Sequence, residues 1–331
     1  MDESEAARRL WQLGDLVSPM AVRVAATLRL PDHIAGGATT AAALAERTGS
    51  NPDALGRLLR HLVAIEVLDR QGDRLELTPL GEAMREGRAD NRGPLTLDVS
   101  SAVGRIQLAA VALLESVLTG GAAYPVVHGR GFWDDLAADA ALGAGFDAFM
   151  GGGDLTPFVA AYDWSAVRHV VDVGGGTGAR LVALLGDNPD LRGTLVDLPG
   201  PAGRAASRLA AAGISDRVTI VARSFFEPLP DGADVYVLAA ILHDWPDEQA
   251  ASILRRCAEA AAPSSRVLVV EQVLDSVDDL AMLTGFDLFM LIGCGGRERT
   301  LDEFRRLGRE AGLSLLSVLD GPVLEFVPAT R

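Results

Sequence analysis

The segment HVVDVGGGTGARLVALL, His169 to Leu185, constrains the fold more than any other part of the chain. Apolar residues and an aspartate run into four glycines within five positions, and an apolar pattern of helical spacing follows. A strand, a tight turn and a helix in that order form a βα unit. The glycines let the backbone of the turn come close to a ligand.

Four further short β-branched runs lie downstream: RGTLVDL, RVTIVAR, ADVYVLAA and SRVLVVEQV. Each is bounded by Gly, Asp or Pro, with amphipathic stretches between them. Their near-continuous apolarity suits parallel strands covered on both faces. The final LSLLSVLDGPVLEFVP reads as two strands joined at Asp320-Gly321, closing the sheet in antiparallel fashion. The C-terminal half is therefore an α/β, doubly wound, Rossmann-like domain.

The N-terminal part has a different texture. Glu5 to about Leu30 has helical spacing, and Pro31 is expected to break it. A threonine-capped short helix, a Gly-Ser-Asn-Pro turn, a second helix from Pro52 and a small hairpin follow, the order of a winged-helix module. Arg92 to about Gly121 reads as one long apolar helical region, followed by helices with irregular joints.

Charge bears on the partners. The 331 residues carry a net charge of −15, and all 30 basic residues are arginine. Between Ala38 and Arg85 six arginines face seven acidic residues, and the second helix of the module offers only Arg57, Arg60 and His61 as cations. A nucleic-acid partner requires clustered cations, so a DNA-binding regulator is disfavoured. No apolar run reaches membrane-spanning length without interruption, and the acidic start MDESEAARRL is unlike a secretory signal, so a cytoplasmic protein without a membrane partner is expected. Cys257 and Cys294 are too few for a disulfide framework or a four-cysteine metal site.

Dinucleotides, nucleoside triphosphates and sulfonium nucleosides all use glycine-rich turns. A Walker loop fails for want of its lysine. Gly174, Gly176 and Ala179 satisfy a GxGxxA dinucleotide fingerprint, so hydride transfer stays open. Asp172, at the end of the strand, would repel a pyrophosphate and attract a cationic amino-acid tail. Asp197, closing the second strand, can hold the ribose hydroxyls of either nucleoside.

The motifs VDVGGGTG, LVDLP, SFFEPLP, ILHDWPDEQ, VLVVEQ and GGRERTLDEFRRLGREAGL occur here in order. In this the chain resembles the S-adenosylmethionine-dependent O-methyltransferases of the plant phenolic and bacterial polyketide type, over nearly its whole length. The resemblance implies a helical winged-helix-like dimerisation domain (1–100), a helical linker and substrate-pocket region (101–160) and a catalytic Rossmann-like domain (161–331). It also implies a homodimer with interlocking N-terminal helices.

By the same resemblance, S-adenosyl-L-methionine lies on Asp172, Gly174, Gly176 and Gly178, with Asp197 and Leu198 at its ribose and adenine, and Ser224, Phe225 and Trp245 framing the adenine. Two positions depart from the family pattern: Ser224 replaces a usual aspartate, and Ala239 a lysine common in plant members. The serine should make a weaker bond to the adenine amino group, because it carries no charge.

His243, after an apolar strand and before a helix that Pro246 can start, falls at the carboxyl edge of the sheet, where ligands bind. The resemblance makes it a general base, flanked by Glu271 and Glu298. A phenol of pKa about 10 lies roughly 3.5 units above histidine, so complete prior deprotonation would cost about 5 kcal/mol. Proton loss coupled to methyl transfer avoids that cost and requires no metal.

Glu298 has a simpler reading as a charge near a helix start, since Thr300 and Glu303 spell a capping box. Phe146, Met150, Phe289 and Met290 match positions that grip flat aromatic acceptors, and Asp244 either joins them or bonds backbone amides. The Gly151-Gly152-Gly153 run suggests room for a bulky, multi-ring acceptor. Diverted hydroxylation or decarboxylation on the same fold, and N-methylation, remain as alternatives.

Overall fold

The computed structural model describes residues 1–87, 96–276, 279–319 and 323–329. They fall into two units, Met1–Arg105 and Ile106–Arg331.

In the first unit the N-terminal helical stretch is three helices, α1 (Glu3–Gly14), α2 (Val17–Thr27) and α3 (Leu30–Ala35). Asp15 stops the first and starts the second, its carboxylate taking the amides of Val17 and Ser18 at 2.9 and 3.1 Å. Arg29 turns the chain with a φ of 52°. Pro31 does not break a helix as expected. It stands in the first turn of α3, where its missing N–H costs nothing.

Helix α4 (Ala41–Thr48) is capped by Thr40, and α5 (Pro52–Ala64) by Asn51. Leu55, Leu59 and Leu62 of α5 recur at three- and four-residue spacing and bury one face against Leu30, Ile34, Leu44, Leu68 and Leu75. Arg57 and Arg60 stay on the solvated side. Strands β1 (Leu68–Gln71) and β2 (Arg74–Leu77) form the antiparallel wing, and α6 (Pro79–Ala83) follows.

The second unit begins in a broken helical run. Helix α7 (Ala102–Leu108) spans the unit boundary, a 3-10 turn covers Ala109–Ala112, and α8 (Leu113–Thr119) ends at Gly120. The single long helix expected from Arg92 is thus divided, and its first residues lie outside those described. By length and composition alone Ala102–Thr119 could cross a membrane. Short helices α9 (Tyr124–His128), α10 (Phe132–Ala138), α11 (Ala140–Met150) and α12 (Thr156–Ala160) lead to the sheet.

That sheet has seven strands in the order β5-β4-β3-β6-β7-β9-β8. Strands β3 (His169–Val173), β4 (Arg192–Asp197), β5 (Val218–Ala222), β6 (Val235–Ala239) and β7 (Arg266–Val270) are mutually parallel, as expected. Strand β9 (Val323–Pro328) runs antiparallel between β7 and β8 (Leu313–Leu319). The turn expected at Asp320-Gly321 lies outside the described residues.

Side chains alternate between the two faces. Val171, Val173, Tyr236 and Leu238 enter one core with Ile253, Leu254, Phe304 and Leu307. Val170, Val235 and Val237 enter the other with Leu181, Leu184, Leu185 and Leu209. Each fully buried aliphatic side chain contributes about 1.5–3 kcal/mol, which sets the register of the central strands. The covering helices are α13 (Ala179–Asp187), α14 (Pro199–Ala211), α15 (Asp247–Ala260) and α17 (Leu301–Glu310), with α16 (Leu280–Cys294) preceding the last.

Candidate active site

The glycine turn leaves β3 with positive φ at Gly174 (71°), Gly176 (58°) and Gly178 (78°). A Cβ on Gly174 would overlap Ile241 and come within 3.5 Å of Phe225, whereas one on Gly176 would meet nothing within 4 Å. The backbone is therefore packed on one side and open on the other.

Asp197 stands at the end of β4 beside this opening. Its oxygens accept from the Gly176 and Leu198 amides, each at 2.7 Å. Burial pushes its pKa up to about 6 against the pull of those amides, and the Asp147 and Asp172 charges add to the rise. Each oxygen keeps a lone pair, so a diol fits here, and the open glycine fits a nucleoside's approach. Leu198 is exposed beside it, and Phe225 is half-buried.

Asp172 stands near the end of β3, just before the glycine turn. Strand alternation turns it to the same face as Val170, and it is 1% exposed beneath the turn. Arg180 of α13 faces it at 3.6 Å. Burial raises its pKa, opposed by that arginine. Neither of its carboxylate oxygens has a hydrogen-bond partner among the described residues. Arg180 also donates to the Ala239 carbonyl at 2.8 Å, so a cation stands beside the position where plant members carry lysine.

Ser224 accepts from the Phe226 amide at 3.2 Å, which closes a local turn. One lone pair and the hydroxyl proton stay available. Ser224→Asp is expected to tighten S-adenosylhomocysteine binding by about tenfold, since a charged acceptor roughly doubles hydrogen-bond strength. Titration calorimetry of the variant against wild type checks this.

His243 sits in a short loop between β6 and α15 whose backbone is held by buried charges. One Glu271 oxygen accepts the amides of Ile241, Leu242 and His243 at 3.1, 2.5 and 3.2 Å. From the other side, fully buried Arg299 donates to the carbonyls of Leu242 (2.9 Å) and Trp245 (2.8 Å) and pairs with Asp247 at 3.0 Å. The Arg297 amide donates to the His243 carbonyl at 2.8 Å. Gly296 allows this approach, because a Cβ there would overlap that carbonyl oxygen.

The imidazole is oriented as tightly as its backbone. Nδ1 lies 2.8 Å from Glu298 Oε1, and Glu298 is 1% exposed. The Glu298 amide in turn donates to Asp287 at 2.7 Å. With Nδ1–H given to the carboxylate, Nε2 is the accepting nitrogen. The capping box of Thr300 and Glu303 is present as well, but it starts α17 without using Glu298.

The Asp244 amide donates to the Ile241 carbonyl at 3.3 Å, and its side chain bonds no backbone group among the described residues. Its Oδ1 faces His243 Nε2 at 3.7 Å and the Cys294 thiol at 3.9 Å. Burial disfavours the imidazolium, yet the carboxylates of Asp244, Glu298 and Glu271 outweigh it and lift His243 to about 9. Burial likewise raises the Asp244 and Glu271 carboxyls, opposed by His243.

Aromatic rings surround this centre. Trp245 meets Phe226 and Phe225 edge-on at 4.9 and 6.1 Å and lies parallel to Trp133 at 6.3 Å. Trp133 and Phe132 flank Phe146. Phe286, one turn before Phe289 and Met290 on α16, stands 5.9 Å from the His243 ring, with Phe289 stacked behind it. Met290 is buried and Met150 is exposed at the end of α11.

Sequence reasoning missed Trp133, Phe286, Asp287 and Arg299. Phe286 shares the helical face of Phe289 and Met290, a signal present in FDLFML. A Cβ on Gly151 would lie 2.7 Å from Arg208, so a guanidinium stands beside the first glycine of the Gly151-Gly152-Gly153 run.

Comparison with known proteins identifies the family. Residues 111–314 match the O-methyltransferase domain and residues 11–86 the O-methyltransferase dimerisation domain. The 2,7-dihydroxy-5-methyl-1-naphthoate 7-O-methyltransferase of Streptomyces carzinostaticus is 50% identical over 92% of this chain and 91% of its own. Aclacinomycin 10-hydroxylase RdmB of Streptomyces purpurascens is 49% identical over 93% of this chain and 84% of its own. The crystal structure of the O-methyltransferase NcsB1 from neocarzinostatin biosynthesis, in complex with S-adenosyl-L-homocysteine and 1,4-dihydroxy-2-naphthoic acid, superposes with a TM-score of 0.92. It is 47% identical and covers 97% of this chain and 98% of that one. The chain belongs to the O-methyltransferase family.

Proposed function

We propose that this chain transfers a methyl group from S-adenosyl-L-methionine to a phenolic or related hydroxyl of an aromatic natural product, with His243 as general base. The observation that carries the reading is the 2.8 Å contact between His243 Nδ1 and buried Glu298, which leaves Nε2 to accept a proton. Bound on the glycine turn, the cofactor supplies a sulfonium-activated methyl and leaves as S-adenosyl-L-homocysteine.

The protein's own contribution is to hold and move one proton. Nε2 takes it from the acceptor hydroxyl as the oxygen becomes methylated. Glu298 and Asp244 stabilise the imidazolium that results. Glu271, through the loop amides, fixes where the ring stands. Phe146, Met150, Phe286 and Phe289 supply the flat apolar walls that align an aromatic ring. Gly174, Gly176, Gly178, Asp197, Leu198, Ser224, Phe225 and Trp245 form the nucleoside side.

Homodimer formation belongs to the same proposal. Leu10, Trp11, Leu13, Leu16 and Val17 are exposed in the first unit, as are Val111, Leu114, Val117 and Leu118 in the second. Apolar exposure on this scale marks association surfaces.

Methyl-labelled S-adenosylmethionine and a panel of naphthols and other polyphenols test the reaction. Label is expected in the acceptor. Oxidised or decarboxylated product with the label still on the cofactor would favour the chemistry of the hydroxylase relative.

The pH profile follows from the site's charge. A base must be neutral to act, so kcat/KM is expected to rise with pH, with its midpoint between the ordinary 6.5 and about 9. Asp244→Asn removes one charge that favours imidazolium, and should shift the rising limb to lower pH. A limb that stays in place shows that Asp244 does not tune the base.

A further inference from the structure

Helix α11, which carries Phe146 and Met150, is tied to α14, the helix that follows Asp197 and Leu198. Arg204 Nε reaches Asp147 at 2.6 Å, and the Asp147 side chain is only 11% exposed. One turn on, Arg208 donates to the Thr177 hydroxyl of the glycine turn at 3.0 Å. The same guanidinium fills the place of a Cβ at Gly151, next to the end of α11.

Glycines accompany the acidic side of the contact. Gly143 is buried, and a Cβ there would lie 2.9 Å from the Leu136 carbonyl and 3.6 Å from Arg204. Gly151 leaves α11 where Arg208 needs room. The Asp147 charge is also near enough to raise the Asp197 pKa. Two arginines of one helix therefore touch both the cofactor turn and the acceptor helix.

We propose that Asp147, Arg204 and Arg208 are positioning residues that couple the two ligand sites, so that a nucleoside on the glycine turn orders α11 for the acceptor. The proposal rests on the cofactor reading above. Arg208 senses the turn through Thr177, and Arg204 passes the constraint to Asp147, which lies beside Phe146 in the chain. Phe146 and Met150 are then set in place only when the turn is occupied.

Hydrogen exchange of residues 140–150, with and without saturating S-adenosylhomocysteine, tests this without knowledge of the natural acceptor. In wild type, S-adenosylhomocysteine should slow exchange in that segment by about tenfold, a typical coupling between sites. In Arg204→Gln and Asp147→Asn the ligand should still bind by calorimetry, but the slowing should vanish. Because the two residues act as a unit, the double variant should lose no more than either single one.

The reversed pair, Asp147→Arg with Arg204→Asp, should recover part of the protection. Gly151→Ala, which pushes Arg208 from Thr177, should reduce it by an independent route. Failure of wild type to bind S-adenosylhomocysteine overturns the cofactor reading and the clamp with it. Wild-type binding with full protection retained in the single variants overturns the clamp alone.

Discussion

Replacing His243 with alanine is expected to lower kcat by about a hundred- to ten-thousand-fold, the usual contribution of a positioned base. S-adenosylhomocysteine affinity should stay within about twofold, because the imidazole contacts Glu298, Asp244 and Phe286 and none of the glycine-turn residues. Steady-state kinetics and calorimetry on the same preparation separate the two effects. Glu298→Gln sharpens the test. It keeps the shape of the side chain but removes the charge that fixes Nδ1–H, so kcat should fall while the fold is retained. If His243→Ala turns over at wild-type speed, alignment of the reactants is the main source of rate, and the base assignment is lost.

The second large effect is expected at Arg299, and it should register first in stability. Arg299→Met takes a buried donor from the Leu242 and Trp245 carbonyls, the first of which keeps the Trp245 amide, at about 1–3 kcal/mol in all. It also strips Asp247 of its buried partner. Asp247 is a third exposed and keeps Arg306 at 2.7 Å and Arg297 at 3.6 Å, so its lost pair adds little and a total of about 3 kcal/mol is expected. For a domain of this size that is a fall in Tm of about 10 °C. Activity should fall as well, because the loop that carries His243 loses one of its supports. Arg299→Lys keeps the charge but lacks the fork that reaches two carbonyls at once, so it should recover part of the loss. Thermal denaturation followed with turnover provides the check, and an unchanged Tm would remove Arg299 from this role.

The strands of the second unit were legible in the sequence because their period and their Gly, Asp and Pro boundaries are local signals. Antiparallel closure by β9 could be read for the same reason. Pro31 shows where local reading stops. Proline breaks a helix it interrupts and favours one it starts, and the choice depends on whether the preceding turn at Arg29 already ended α2. Asp172 was placed by its position along the strand, and two-residue alternation adds that it shares the face of Val170. Gly151 was read as space for a ligand; no local signal shows that the guanidinium of Arg208, fifty-seven residues away in sequence, also comes close to it. Arg299 left no local trace at all, since nothing in GGRERT distinguishes a solvated arginine from one buried against two carbonyls.

The order of the last strands has a consequence for how the molecule assembles. Strand β8 precedes β9 in the chain, yet β9 lies between it and β7. Strand β8 can join the growing sheet only after its successor has docked, so the final hairpin must enter as a unit or in reverse order of its synthesis. Glu271 directly follows β7, and β9 covers that strand's outer edge. The carboxylate that gathers the amides of the histidine loop therefore lies at the end of a strand whose outer edge only this hairpin closes.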